Sequence, residues 1–350
     1  MAYENDVMNT VQATLDTSVQ DTVLKASPFL QLVAEKASIF TGREKQVNFK
    51  VSKNTGNGGS FAKGDTLASS LVSTTQVAKF EPRFARQSVQ LDDIDISAAN
   101  GKEAIIELQE LKTEEASQEL ADTVAPMIFS DGTGNSGKDL IGLKAAIKTS
   151  GTYGGLDYAT YTSLKSTVDT VTTLSTLTIA KLDAVHDAIS QGNYKPTHIF
   201  TTQAIKTKIG AIQTTANMYV VNQAPTKIMS KTRDGLEVEI GVTNVFYRGI
   251  PVIADPQCPD NHLFIINADD WQLYVQPMKS AGEDVYTPVG ISSSVVKGEF
   301  DKNLEMWFKG ISRTKFERPT NALYSVAHYV FNGMLICKNP SRQGMFTALA

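Results

Sequence analysis

The chain has 350 residues, 41% of them hydrophobic and 20% charged, which is enough for a large buried core and excludes a disordered chain. Lys and Arg number 33 against 37 Asp and Glu, and the net charge of −4 argues against gripping nucleic acid through a broad basic surface. The opening MAYENDVMNTVQ is acidic where a secretory signal is basic, no stretch nears the ~20 apolar residues of a membrane helix, and two cysteines, Cys258 and Cys337, make no disulfide framework.

Those exclusions lead to the expectation of a soluble chain with free thiols, made in a reducing cytoplasm. Residues 1–42 carry Val11, Leu15, Val19, Val23 and Leu24 at helical spacing, then Pro28 and an apolar group at Phe29, Leu32 and Val33. They read as an arm with short helical pieces. From Lys45 to Val51 the period changes to two, with Val47, Phe49 and Val51 alternating against Gln46, Asn48 and Lys50, as in a strand. Residues 77–91 form a second extended segment containing Pro82. Between the two, residues 52–74 offer only Phe61, Leu67, Leu71 and Val72 as large apolar groups. They cannot form a core, so the insertion is expected to dock on a partner, with a floppy surface loop as the alternative.

Asn100 and Glu103 have the spacing of a capping box, and Leu108, Leu111, Leu120, Val124 and Ile128 follow near period 3.6 until Pro126 limits or kinks the end. This predicts one long amphipathic helix with a strongly acidic polar face: Glu103, Glu107, Glu110, Glu114, Glu115, Glu119 and Asp122 against Lys102 and Lys112. A Gly-rich turn over residues 131–142 comes next. Leu182, Val185 and Ile189 predict a helix ending at Gly192, residues 198–202 a short strand, and residues 204–212 a helix. Strands are expected at 236–242, at 245–253 with a break at Gly249, at 262–275, and in the extended segments 306–312, 322–331 and 334–338.

The chemical motifs are weak. Gly132 to Lys138 matches a phosphate loop, but Asp139 stands where a Mg²⁺-binding Ser or Thr belongs, and a helix precedes it instead of a buried strand. Cys258 and His262, with Asp255 and Asp260, imitate half a metal site and lack a second ligand pair. Asp92, Asp93 and Asp95 lack the Gly and distal Glu of a calcium loop. No Gly-flanked Ser elbow is present. No cofactor, metal or catalytic residue is expected.

The order of parts, together with Ile128-Phe129-Ser130-Asp131-Gly132-Thr133-Gly134, Ile141-Gly142-Leu143 and Tyr247-Arg248-Gly249-Ile250-Pro251-Val252, resembles the major capsid proteins of tailed phages with the Hong Kong 97-type fold. Ser130 departs from the family's usual Gly. The resemblance implies an α+β chain divided into an N-terminal arm (1–42) and an extended β-hairpin loop (43–96). A spine helix and peripheral domain (97–139, continued at 292–334) and an axial domain (140–291, continued at 335–350) would follow.

It further implies a non-enzymatic protein that self-assembles into pentamers and hexamers of an icosahedral virion shell in the host bacterial cytoplasm. The partners implied are a separate scaffolding protein, a portal, and packaged double-stranded DNA met through weak, non-specific contact, with no membrane. Some members cross-link a loop Lys to a neighbour's Asn, which here would use Lys63 with Asn321 or Asn332. An encapsulin-like compartment and, more remotely, a phosphate-loop nucleotide-binding enzyme are the alternatives. In the resembled fold a neighbour's loop passes near the spine. The loop basic residues Lys45, Lys50, Lys53, Lys63, Lys79, Arg83 and Arg86 are therefore expected to attract Glu103, Glu107, Glu110, Glu114 and Glu115 of another subunit.

Overall fold

The structure is a computed structural model and describes residues 27–52, 58–67, 73–94, 102–170, 172–215, 245–276, 311–313, 317–320 and 323–349. Most of the expected arm, the cap at Asn100 and the strand at 236–242 lie outside the described residues. The described residues open with helix α1 (Pro28–Glu35), whose N-cap Ser27 accepts from Leu30 N through its side chain. Pro28 at the first helical position loses no hydrogen bond, because that N–H has no intrahelical partner.

Strands β2 (Lys45–Lys50) and β3 (Thr75–Phe80) pair antiparallel, with Lys45 opposite Phe80 and Lys50 opposite Thr75. The segment expected to be continuous through 77–91 breaks at Glu81-Pro82. Beyond the break, β4 (Arg83–Asp92) leaves the hairpin and pairs with β14 (Tyr324–Cys337) from Asp92↔Tyr324 to Arg83↔Gly333. Proline has no N–H for a ladder and so marks the place where the chain changes sheets.

The long helix runs Lys102–Phe129 and carries Pro126 in its last turn without ending there. Ala116, Leu120, Val124, Ala125, Ile128 and Phe129 of this helix are buried in the core. The Gly-rich turn after it is anchored to the helix end. Ser130 Oγ donates to Leu140 O at 2.9 Å, and a Cβ on Gly142 would stand 2.1 Å from Ile128 O. Only glycine lets the returning chain pass so close to the helix terminus.

Two sheets organise the rest. β4, β14, β1 (Ser38–Ile39), β12 (Trp271–Val275) and β13 (Ile311–Arg313) form a five-stranded sheet. The six-stranded sheet has the order β7-β15-β11-β8-β10-β9. Its strands are β7 (Thr167–Asp169), β8 (His198–Thr201), β9 (Val245–Tyr247), β10 (Ile250–Ala254), β11 (Leu263–Ile266) and β15 (Gly344–Phe346). Helices Ile179–Ile189 and Gln203–Thr215 accompany this second sheet, with Leu182, Val185, Ile189, Ile205 and Ile209 buried in its core cluster. β9 and β10 turn through Arg248 (φ 50°) and Gly249 (φ 80°), both left-handed, as a two-residue hairpin of this twist requires.

Two expectations change here. The segment 262–275 is two strands in different sheets, β11 and β12, joined by a single 3₁₀ turn at Ala268–Asp270. The segments 322–331 and 334–338 are one strand, β14, unbroken at Gly333. A Cβ at Gly333 would lie 3.0 Å from Tyr274 O on β12 and 2.7 Å from the Phe331 ring, so this glycine permits close approach and makes no turn.

The chain crosses between the sheets twice at one place: β11 to β12 through residues 267–270, and β14 to β15 through residues 338–343. Gln343, fully buried, ties the crossings together. Its Oε1 accepts from Asn267 N (3.0 Å) and Trp271 Nε1 (3.2 Å), while Nε2 donates to Asp270 Oδ2 (3.3 Å) and Asn339 O (3.2 Å). All four hydrogen-bonding positions of the amide are used, as a buried amide requires.

Candidate inter-subunit surface

The β2–β3 hairpin has two chemically different faces, because side chains alternate along a strand. Phe49, Ala78 and Phe80 on one face are buried. They meet the small hairpin β5–β6 (Thr152–Tyr153 and Leu156–Asp157), with the Tyr153 ring 4.9 Å from that of Phe80 and 6.5 Å from that of Phe49. Ser163 Oγ also donates to Val51 O at 2.6 Å. The opposite face presents Gln46, Asn48, Lys50, Thr75, Val77 and Lys79 to solvent. Between these strands in sequence, Phe61 (68% exposed) and Leu67 (66% exposed) stand largely in solvent. Large apolar groups left this open at the end of a hairpin are what a partner would cover.

The basic residues expected in this region have different fates. Lys79 lies 3.3 Å from Glu44, whose carboxyl is held below its usual range first by the Gln46 amide and then by Lys79. Lys45 stands over the Tyr274 ring at 4.9 Å and so braces the hairpin root against its own β12. Arg83 is half-buried, its Nε without a hydrogen-bond partner among the described residues. Lys50, Lys63 and Arg86 are exposed. Lys53 lies outside the described residues, as do the side chains of Glu103, Glu107, Glu110 and Glu114.

On the helix, Glu115 pairs with its own Lys112 at 3.2 Å, and Glu119 accepts from Gln87 of β4. Asn332 is buried in β14 opposite Phe84, which closes it to an incoming lysine; Asn321 lies outside the described residues.

Composition and periodicity had no means of finding three other features. Tyr153 and Gly154 sit under the hairpin in a stretch whose only sequence signal is the Gly154-Gly155 turn. Phe84 is exposed on β4. At the far end of the β4–β14 pair, Ile94, Leu323 and Tyr324 are exposed together, with Asp93 N donating to Leu323 O at 3.0 Å and Arg318 pairing with Asp93 at 2.5 Å.

The residues of the three short motifs make hydrogen bonds within the subunit. In the Gly132–Asp139 turn, Asn135 and Ser136 are left-handed, and Asp131 Oδ1 accepts from the N and Oγ1 of Thr133. A Cβ on Gly134 would lie 2.1 Å from Asp139 Oδ2, so a carboxylate fills the concavity that a phosphate would need. Asp255 accepts from Ser27 Oγ (2.6 Å), Phe29 N (3.2 Å) and Gln257 N (2.9 Å), fastening the start of α1 to the end of β10. Its neighbour Cys258 is buried with its thiol pushed up by desolvation, while His262 Nδ1 lies 2.7 Å from Asp260 O. Asp92 Oδ1 accepts from Ile94 N, and Asp95 lies outside the described residues.

A second charged group lies on the six-stranded sheet. Arg248 pairs with Asp183 (2.8 Å) and Asp187 (2.5 Å), and Tyr247 OH donates to Asp183. Hydrogen bonds from His186 and then Arg248 hold the Asp187 carboxyl below its usual range. These contacts fasten the β9–β10 turn to helix Ile179–Ile189 within one subunit.

The family model described as SU10 major capsid protein matches residues 85–289. No curated protein sequence matches the chain. Among solved structures, the capsid asymmetric unit of cyanophage A-1(L) is similar with a TM-score of 0.67 at 17% identity, covering 97% of each chain. The capsid of an empty GTA particle gives 0.56 at 11% identity, covering 100% of this chain and 98% of that one. The SrpI encapsulin of Synechococcus elongatus PCC 7942 gives 0.53 at 9% identity, covering 99% and 95%. At these identities the likenesses establish the fold.

Proposed function

The chain belongs to the SU10 major capsid protein family, and from that premise we propose how it builds a shell. It is the major capsid protein of a tailed bacteriophage, on the Hong Kong 97-type capsid fold. Its place is the virion and its role is structural, without a catalytic step. Copies associate through the outward face of the β2–β3 hairpin and through residues 58–67 into pentamers and hexamers, which close around packaged double-stranded DNA. Assembly takes place in the host cytoplasm with a separate scaffold and a portal. DNA is held by enclosure and weak contact, since the chain's net charge of −4 offers no general basic surface. In domain terms, the hairpin is the extended loop, the long helix with the five-stranded sheet the peripheral part, and the six-stranded sheet the axial part.

The observation that carries the hairpin's role is its one-sidedness: one face is buried on its own subunit, while Val77, Phe61 and Leu67 are left open. Replacing residues 52–74 by a short turn tests it. The expected product is a soluble, folded subunit that forms no regular shell in negative-stain images; regular shells from that chain would overturn the assignment. In native particles the contents should be nuclease-protected double-stranded DNA, whereas a protein cargo would favour the encapsulin reading.

A further inference from the structure

We propose that Tyr153 and Gly154 form a seat that sets the angle at which the hairpin leaves the subunit, making them positioning residues for shell assembly. This rests on the hairpin's role proposed above. A two-stranded hairpin has no stability of its own in water, so its direction must come from what it lies on. Ser163 and Tyr274 hold its root, and under β3 the support is specific. Lys79 N donates to Gly154 O at 2.9 Å, a main-chain bond between β3 and the β5–β6 turn. Gly154 is left-handed at φ +58°, and a Cβ there would lie 2.7 Å from both Ala78 Cβ and Phe80 Cζ. Backbone is thus pressed directly against the underside of β3, and no larger residue fits without lifting the strand.

Tyr153 then connects this seat to the subunit's interior. Its ring packs against Phe80 and Phe49, and its hydroxyl accepts from Cys337 N at 2.8 Å. Cys337 is the last residue of β14, opposite Trp271, immediately before the chain crosses to the six-stranded sheet. One side chain therefore touches both the hairpin and the junction of the two sheets. A change of angle at that junction is transmitted to the hairpin, and a neighbour's pull on the hairpin is transmitted back.

The seat can be disturbed from either side with Gly154→Ala, which adds the excluded Cβ, or Ala78→Leu, which enlarges the facing residue. Hydrogen exchange on the unassembled full-length subunit reads the result. In both variants the amides of residues 45–50 and 75–80 should exchange at least about tenfold faster, while those of β8 and β11 keep parental rates. Assembled particles should then be absent or irregular by electron microscopy. Unchanged exchange in the hairpin would overturn the seat and leave the hairpin's role in assembly intact. Faster hairpin exchange with regular shells would instead overturn that role, and with it the positioning assigned here. If one variant loses protection throughout, the other decides.

Discussion

Replacing Gln343 tests whether the two sheet crossings are held by one side chain. In Gln343→Met the shape is nearly kept, but Asn267 N and Trp271 Nε1 lose their acceptor in a site with no solvent. A buried donor left unpaired costs about 1–3 kcal/mol, so two should cost about 2–6 kcal/mol in all. Gln343→Glu separates the acceptor from the donor role. It keeps an oxygen for both N–H groups but sets a carboxylate oxygen where Nε2 now donates to Asp270 Oδ2 at 3.3 Å. Asp270 is already pushed above its usual range, first by burial, and a second carboxylate raises both groups further. Carboxyls whose folded values are raised favour the protonated fold. Their stabilisation is therefore complete below the ordinary carboxylate value of about 4 and is lost as pH rises through the raised values. Urea unfolding of the unassembled subunit at about pH 4.5 and 7.5 should show the Met variant weakened similarly at both, and the Glu variant weakened mainly at the higher pH. A Met variant within about 0.5 kcal/mol of the parent, or a Glu variant whose loss ignores pH, would refute the argument.

Two more outcomes follow from the charged residues. Reversing Glu107, Glu110 and Glu114 to Lys should slow assembly at low salt, with the defect shrinking near 1 M salt, where the Debye length is ~3 Å; light scattering during assembly measures it, and a parental rate at low salt removes the charge pairing. Asp255→Ala should cost about 2 kcal/mol of subunit stability, because Ser27 Oγ, Phe29 N and Gln257 N lose their acceptor. Burial raises the Asp255 carboxyl, so its contribution falls as pH rises through the raised value, and Asp255→Asn should gain on the parent as pH rises above the ordinary carboxylate value of about 4 in paired unfolding titrations.

Much of the secondary structure and the family are legible in the sequence because they rest on local periodicity and turn chemistry. The alternation at Val47, Phe49 and Val51 makes a strand, Leu182, Val185 and Ile189 make a helix face, and Gly249 makes a hairpin turn, each within a few residues. The poverty of residues 52–74 in core groups, and the short Asp131-Gly132 and Gly142 motifs, are local as well. Which sheet a strand joins is not local. β11 and β12 read as one run because their side chains are alike, yet each is paired with a different distant partner. Gly333 reads as a break because a glycine's cost to a strand is local, whereas its use is a contact with Tyr274 across the sheet. The hairpin was readable as an insertion, but its two-faced character was decided by Tyr153 and Gly154, more than seventy residues further along the chain. Periodicity tells which residues must leave water. Only the packed structure decides which surface receives them, and that choice separates the hairpin's seated face from the face left in solvent.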